Sequence, residues 1–269
     1  NAKSASMLQY SLGIKASIAA SLSAIICRAT DCTLPADNPL FIFDQRSDGL
    51  NAFFSKIYAL MGAGVLISAV VSWIMITFFA DNMVAMLDRG GFGFLLLWLV
   101  PLFLVFPMQR AALKNSPAAL PLFIGFAAFF GFLLSFTLIM YTATNITLAF
   151  VTAAAMFLGL AIYGRVTKRN LSAMGKVMGV AVWGLIVAMF LNWFFASTGL
   201  MFLTSIAGVV IFSGLIAWDN QKIVNVYNAN NGQVNDGWAI SMALSLYLDF
   251  LNLFLFLLRI FGIAGGNRD

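Results

Sequence analysis

Long apolar runs separated by short polar stretches make up most of the chain. A membrane-spanning helix needs roughly 20 mostly apolar residues to cross about 30 Å of hydrocarbon, and seven runs fit that length. They are residues 53–80, 92–109, 118–142, 145–164, 177–196, 199–226 and 238–263. Because none alternates with a period of two, the pattern predicts helices rather than a barrel. The short polar stretches between them, such as DNMVAMLDRGG and NANNGQVNDG, predict antiparallel neighbours.

The composition supports a membrane protein. Of 269 residues, 62% are hydrophobic and only 9% are charged, whereas soluble globular proteins have about 25% charged residues. Such a chain lacks the polar side chains to cover its own surface in water. We therefore predict an all-α integral membrane protein with a bundle of seven transmembrane helices.

The first 50 residues fit this pattern less well. The segment SLGIKASIAASLSAIIC is short and weakly apolar for a span, and an interfacial helix or a signal-like segment are both open interpretations. The following TLPADNPLFIFDQRSDG is typical of a polar linker with turn residues. We predict an N-terminal extension or linker at residues 1–50 and a membrane domain at residues 51–265.

Charged residues in the loops predict the orientation of the bundle. The segment between the fourth and fifth runs, GRVTKRNLSAMGK, contains four basic residues and no acidic one. The second loop and the start of the sixth are also basic, whereas the third and fifth have no charge. Since basic loops remain in the cytoplasm, we predict a cytoplasmic N-terminus and an external C-terminus.

Missing side chains exclude several enzyme classes. The chain has no histidine, and all ten acidic residues are aspartate. Serine hydrolases with a histidine base and HExxH zinc enzymes are therefore excluded. We predict no enzymatic activity, no catalytic residue, no cofactor and no nucleic-acid partner.

Two aspartates lie inside apolar runs, Asp219 in LIAWDNQKIV and Asp249 in LSLYLDFLNLFLFLL. If the last two helices form a hairpin that turns near residue 233, the two carboxylates lie at nearly equal depth, roughly 15 Å from the cytoplasmic helix ends and close to the bilayer midplane. Whether they face each other depends on helix rotation; if they do, two neighbouring carboxylates cannot both ionise cheaply there, so they share a proton and titrate as a unit. Once deprotonated, their oxygens suit a hard cation such as calcium. The pair is therefore a candidate proton sensor and calcium site.

A purely structural role is the alternative for these aspartates. Lys222, three residues after Asp219, can form an intrahelical ion pair. Asn220, Asn252 or Tyr247 can donate hydrogen bonds to Asp249, which would then only join helices.

Three motifs resemble the Bax inhibitor-1 family, also called the transmembrane Bax inhibitor motif or lifeguard family, in its bacterial branch. They are AMFLGLAIYGRVTKRNLSAMG, IFSGLIAWDNQKI and ALSLYLDFLNLFLFLLRIFG. The resemblance extends over about residues 50–263, and WDNQ replaces the commoner YDTQ without loss of the aspartate.

The resemblance implies a fold in which six helices surround a central seventh. It also implies a pH-sensitive calcium leak channel whose sensor pair matches Asp219 and Asp249. In the family an arginine at the cytoplasmic end of helix two acts as a latch to the helix-six aspartate, and Arg110 in FPMQRAAL is the nearest match. The expected partners are the lipid bilayer, calcium and protons, and the expected location is the bacterial inner membrane.

Two other functions are compatible with two intramembrane aspartates. One is a non-catalytic regulator that binds membrane proteins such as a membrane-anchored AAA protease. The other is an intramembrane aspartyl protease, but the GxGD motif of that class is replaced here by LYLD and its PAL motif is missing. A channel predicts ion flux through the purified protein alone, whereas a regulator predicts none.

Overall fold

The computed structural model describes residues 39–89, 92–195 and 197–265, and every regular element within those ranges is a helix. The chain divides into two compact units between Ala52 and Phe53. The helices are α1 (Pro39–Phe78), α2 (Ala80–Arg89), α3 (Phe92–Leu113), α4 (Ala119–Leu138), α5 (Ala143–Val166), α6 (Ser172–Phe195), α7 (Thr198–Ala229) and α8 (Asp236–Gly265).

Six of the described helices are long and apolar enough to cross a membrane. They are α1 from Ser47, α4, α5, α6 as far as Asn192, α7 and α8. The second predicted span falls on α3, where the described residues provide only a shorter apolar stretch, Phe103–Leu113. The protein is thus an all-helical membrane protein with several spans, and the count of seven stays a prediction.

Two segments predicted as polar connections are helical. The linker prediction is wrong for residues 39–49, where α1 begins at Pro39. Proline is tolerated in the first turn of a helix because its missing N–H has no partner there, and apolar residues follow it directly. The predicted loop DNMVAMLDRGG contains α2. Asp81 in its first turn favours the positive end of the helix dipole, and the buried Met83 anchors one face.

Helix α8 is buried over more than half of its length. Every residue from 239 to 244 is buried, which places all faces of the helix against protein. It packs against α7, α5, α3 and α4. A ring of six helices around it stays a prediction.

Small residues allow three close helix crossings. A Cβ atom at Gly131, Gly164 or Gly237 would overlap the backbone of a neighbouring helix or turn. At Gly164 the obstructing atoms belong to Ala217 of α7. In lipid, where the hydrophobic effect does not drive helices together, such close backbone approach supplies packing energy.

Tyr247 fixes the middle of α8 against α1 and α4. Its ring makes edge-on contacts with Phe123, Phe126 and Phe130 at centroid distances of 5.8, 6.2 and 6.1 Å. Its hydroxyl lies 2.6 Å from Ser68 Oγ. The ring and hydroxyl together define the rotation of α8, and hence the direction in which Asp249 points.

The turn between α7 and α8 occupies residues 230–235, so the predicted turn near residue 233 is correct. Asn231 and Gly232 have φ angles of +51° and +80°. Glycine adopts this left-handed conformation without steric strain, and the Gly232 N–H donates a 2.9 Å hydrogen bond to the Tyr227 carbonyl. The tight turn returns the chain directly and makes α7 and α8 antiparallel neighbours.

Candidate functional site

The α7–α8 hairpin brings Asp219 and Asp249 together. Their carboxyl groups lie within hydrogen-bonding reach of each other. The two residues are only 5% and 8% exposed. Nearly equal spacing from the turn therefore puts the two carboxyl groups at the same level, where they interact with each other.

One oxygen of each carboxyl group has no hydrogen-bond partner among the described residues. These atoms are Asp219 Oδ1 and Asp249 Oδ2. An ionised carboxylate has only acceptor atoms. Two neighbouring carboxyl groups therefore attract each other only when one of them carries a proton that the other can accept. A buried polar atom without a partner typically costs about 1–3 kcal/mol. The arrangement suits a shared proton or a bound cation.

The donors that the structural alternative required are all directed elsewhere. Asn220 Nδ2 donates to the Ile216 carbonyl, and Asn252 Nδ2 donates to the Leu248 carbonyl. The Tyr247 hydroxyl pairs with Ser68 on α1. Among the described residues, none of these three side chains therefore donates to Asp249, as the structural alternative would require.

Lys222 is the basic residue that acts on the pair. It contributes favourable electrostatics to both aspartates. Its ammonium group lies over the Trp218 ring at 5.0 Å. Within the described ranges it makes no ion pair with either carboxylate, so the predicted intrahelical ion pair with Asp219 is not formed.

Arg110 lies in the last turn of α3 and is exposed. Over the part of the chain that the structure describes, Arg110 forms no ion pair with Asp219. The preceding Gln109 is the residue of α3 that reaches α8, where its Oε1 accepts a 2.5 Å hydrogen bond from Ser241. The latch role of Arg110 stays a prediction.

Asn220 connects the pair to α1, a link that the sequence analysis missed. Its side chain is fully buried, and its Oδ1 accepts a 2.5 Å hydrogen bond from the Tyr58 hydroxyl. Arg165 on α5 interacts electrostatically with Tyr58. In the sequence, the only sign of this link was that polar residues follow the aspartate in WDNQ.

Gln221 connects the same turn of α7 to the loop between α5 and α6. Its Oε1 accepts a 2.7 Å hydrogen bond from the Leu171 N–H, and its Nε2 donates a 2.7 Å hydrogen bond to the Arg169 carbonyl. Asp219 lies two residues away, roughly 3 Å along the helix axis. The aspartate pair therefore lies near the level of this basic loop. A position at the bilayer midplane, as expected from the sequence, would lie farther from the loop.

We expect Gln221→Ala to release this loop. The Leu171 N–H is buried by its contact with Gln221, and losing both hydrogen bonds leaves buried polar groups that cost about 1–3 kcal/mol each. Hydrogen exchange at the Leu171 amide should become at least tenfold faster. Gln233→Ala in the exposed α7–α8 turn is the control and should leave that amide unchanged. Equal protection in the wild type and Gln221→Ala would show that the side chain does not hold the loop.

The described residues contain no cluster of three or more histidine, cysteine or acidic side chains that could hold a metal ion. Calcium takes six to eight oxygen ligands, and the aspartate pair supplies at most four carboxylate oxygens. The site therefore fits an ion that binds transiently with water or backbone ligands better than a tightly held structural ion.

The geometry thus defines a helical membrane protein with several spans and a buried carboxyl pair between its last two helices. Residues 50–266 match the family model described as Inhibitor of apoptosis-promoting Bax1. The chain belongs to this Bax inhibitor family.

Similar proteins are found in several bacteria. The uncharacterized protein YrjE of Lactococcus lactis is 78% identical over 85% of this chain and 97% of its own length. The uncharacterized membrane protein SpyM3_0260 of Streptococcus pyogenes is 48% identical over 84% of this chain and 98% of its own length. The inner membrane protein YbhL of Escherichia coli is 36% identical over 81% of this chain and 94% of its own length.

Proposed function

We propose that the protein is a pH-sensitive calcium leak channel of the bacterial inner membrane, without enzymatic activity, in which the Asp219–Asp249 pair is the proton sensor. Membership of the Bax inhibitor family supports the proposal. The observation that carries it is the buried carboxyl pair with an unpartnered oxygen on each residue.

Unpartnered polar atoms continue along α7. The buried side-chain atoms without a partner among the described residues are Asp219 Oδ1, Asp249 Oδ2 and Ser213 Oγ, all on α7 or α8. Ser213 precedes Asp219 by six residues, or roughly 9 Å of helix. At 3.6 residues per turn, six residues place Ser213 about a third of a turn round α7 from Asp219, so this hydroxyl does not extend the site between α7 and α8.

The pair can act as a switch because the two carboxyl groups bind each other in the protonated state and bind a cation in the deprotonated state. With one proton shared, the carboxyl groups bind each other and the helices remain in contact. Loss of that proton leaves two anions that repel each other unless a cation enters between them. Flux through the hairpin then depends on pH.

Calcium flux into liposomes that contain only this protein, measured across a pH series, tests the channel. We expect flux above that of empty liposomes and a titration in its pH profile. A regulator of other membrane proteins predicts no flux at any pH, and that result would reject the proposal.

The continuity of α8 supports a function without catalysis. The helix is unbroken from Asp236 to Gly265, so Asp249 lies within regular helical structure. A protease must open a helix near its aspartates to admit a peptide and water, and no glycine adjoins Asp249 to allow this.

We also propose that α3 crosses the membrane, which gives seven spans. Lys56 near the start of the membrane part of α1 forms an ion pair with Asp236 at the start of α8. Asn115, just after α3, accepts a 3.0 Å hydrogen bond from the Gly237 N–H. Lys56 of α1 and the start of α8 therefore lie at the end of the bundle where α3 finishes. With 22 residues, α3 is roughly 33 Å long, which suffices for one crossing.

Reporter fusions test this topology. A fusion after residue 170 should report a cytoplasmic location, and a fusion after Asp269 should report an external one. Six spans would place Lys56 and the start of α8 on opposite sides. A cytoplasmic C-terminus would therefore contradict both the count of seven and the parity implied by the Lys56–Asp236 ion pair.

Lys222→Gln and Arg110→Ala separate two candidate partners of the pair. Lys222 already acts on both carboxyl groups, so removing its charge should make loss of the shared proton harder and move the pH midpoint of flux upward by about one unit or less. If Arg110 is a latch to Asp219 in the closed state, Arg110→Ala should raise flux at neutral and higher pH, because the closed state loses its ion pair. An unchanged profile in Arg110→Ala would remove Arg110 from the gate, and an unchanged midpoint in Lys222→Gln would do the same for Lys222.

A further inference from the structure

We propose that an anionic phospholipid binds in the groove between α1 and α5, with its phosphate at Arg165 and its acyl chain along the groove. The inference rests on the shape of the groove, the placement of its one charged residue and the charge of the adjoining loop. It does not depend on channel activity.

The groove is an apolar cleft that opens toward lipid. It has a volume of about 350 Å³ and is lined by side chains of α1 and α5, among them Met61, Phe157, Leu158 and Ile162. Leu158 and Ile162 are exposed, and both helices are candidate spans. The solvent at this surface is therefore lipid, and a hydrocarbon chain is the occupant that the lining favours.

Arg165 gives the groove a cationic end. It lies in the last turn of α5, and its guanidinium group stacks over the Phe54 ring with the central carbon 4.5 Å from the ring centroid. This cation–π contact keeps the guanidinium group beside the Phe54 ring at the end of the cleft. Arginine presents several N–H donors that match the oxygens of a phosphate.

The charge around Arg165 favours an anionic headgroup. Lys168 and Arg169 follow in the exposed loop after α5, so three basic residues lie within five positions at this end of the helix. Clustered basic residues at a membrane surface attract anionic lipids by about 1 kcal/mol for each residue. A zwitterionic lipid also has a phosphate, but its ammonium group would meet the same positive field.

The groove adjoins the aspartate pair through one hydrogen bond. Tyr58, which lines the groove beside Arg165, donates to Asn220, and Asn220 directly follows Asp219 in α7. A headgroup that draws Arg165 toward the lipid would change the surroundings of Tyr58. A lipid bound in the groove can therefore influence the aspartate pair through Tyr58 and Asn220.

Lipid retention by the full-length protein tests the proposal. The purified protein in neutral detergent is titrated with phosphatidylglycerol or phosphatidylcholine, and bound lipid is counted by native mass spectrometry. The wild type should retain phosphatidylglycerol in preference to phosphatidylcholine. Arg165→Gln should weaken that retention about tenfold, as expected for a lost charge-assisted contact. Lys176→Gln, which removes an exposed basic residue of α6, is the matched charge control and should change it by less than about twofold.

A second pair of variants tests the groove without altering charge. A Cβ atom at Gly62 or at Gly179 would meet no atom within 4 Å, so both helices should tolerate a larger side chain. Gly62→Leu fills the groove and should reduce phosphatidylglycerol retention, whereas Gly179→Leu on α6 should not. Equal retention in Gly62→Leu and the wild type would overturn the proposal. Equal retention of phosphatidylglycerol and phosphatidylcholine by the wild type would also overturn it. The same holds if inorganic phosphate alone raises the unfolding temperature of the protein as much as phosphatidylglycerol does.

Discussion

Asp219→Asn and Asp249→Asn should each abolish most of the pH dependence of calcium flux in proteoliposomes. On the steep part of its titration, flux through the wild type should change by up to about tenfold per pH unit, the limit for one titrating proton. In each variant it should change by less than about twofold over the same interval. Asparagine has nearly the same shape, and its amide replaces the shared proton by a permanent donor. The variants should therefore fold while losing the switch.

The double variant gives a sharper form of the same test. Because the two carboxyl groups titrate as one unit, removing both should affect the pH response no more than the stronger single substitution. Asp81→Asn, in the exposed first turn of α2, is the matched control and should keep the wild-type profile. If both single variants keep that profile as well, the pair only joins the helices.

Gly164→Ala should destabilise the folded protein by roughly 1–3 kcal/mol, the usual effect of overpacking. Its added methyl group would overlap the backbone of Ala217, which cannot rotate away as a side chain would. Helices α5 and α7 must then separate at a point two residues from Asp219. Denaturant or thermal unfolding in detergent measures the stability, and the flux midpoint should also shift.

Gly159→Ala is the matched control on the same helix. A Cβ atom there would meet nothing within 4 Å, and alanine in a helix is favoured over glycine by about 0.5–1 kcal/mol. This variant should be as stable as the wild type or slightly more stable. Equal effects at positions 159 and 164 would contradict the close crossing of α5 and α7.

The similar level of the two aspartates was predictable because it depends on spacing alone, whereas their facing each other depends on helix rotation. A hairpin with a recognisable asparagine- and glycine-rich turn fixes which residues of two antiparallel helices lie at the same level, and Tyr247 then sets the rotation of α8. The positions of the spans were also predictable, because a helix that is surrounded by lipid needs a long apolar run. The helical segments before residue 50 and after Phe79 were missed because a few polar residues resemble a loop when their packing is unknown.

The surroundings of the pair were not predictable from the sequence. The hydrogen bond from Tyr58 to Asn220 joins residues 162 positions apart, and the contacts of Gln221 with its loop join residues about 50 positions apart. No periodicity or local motif encodes such pairs. The donors near Asp249 in sequence were misleading, because a helix directs neighbouring side chains to different faces and each found a partner of its own.

The most direct test of the central claim is to follow the proton and the ion in the same proteoliposomes. Infrared difference spectroscopy across a pH series reports the carbonyl band of a protonated carboxylic acid, and calcium flux is recorded under identical conditions. A shared proton that controls the path predicts one band that disappears with the same pH midpoint as the change in flux, and that is altered in both Asp219→Asn and Asp249→Asn. Flux that titrates while this band stays constant would contradict the claim.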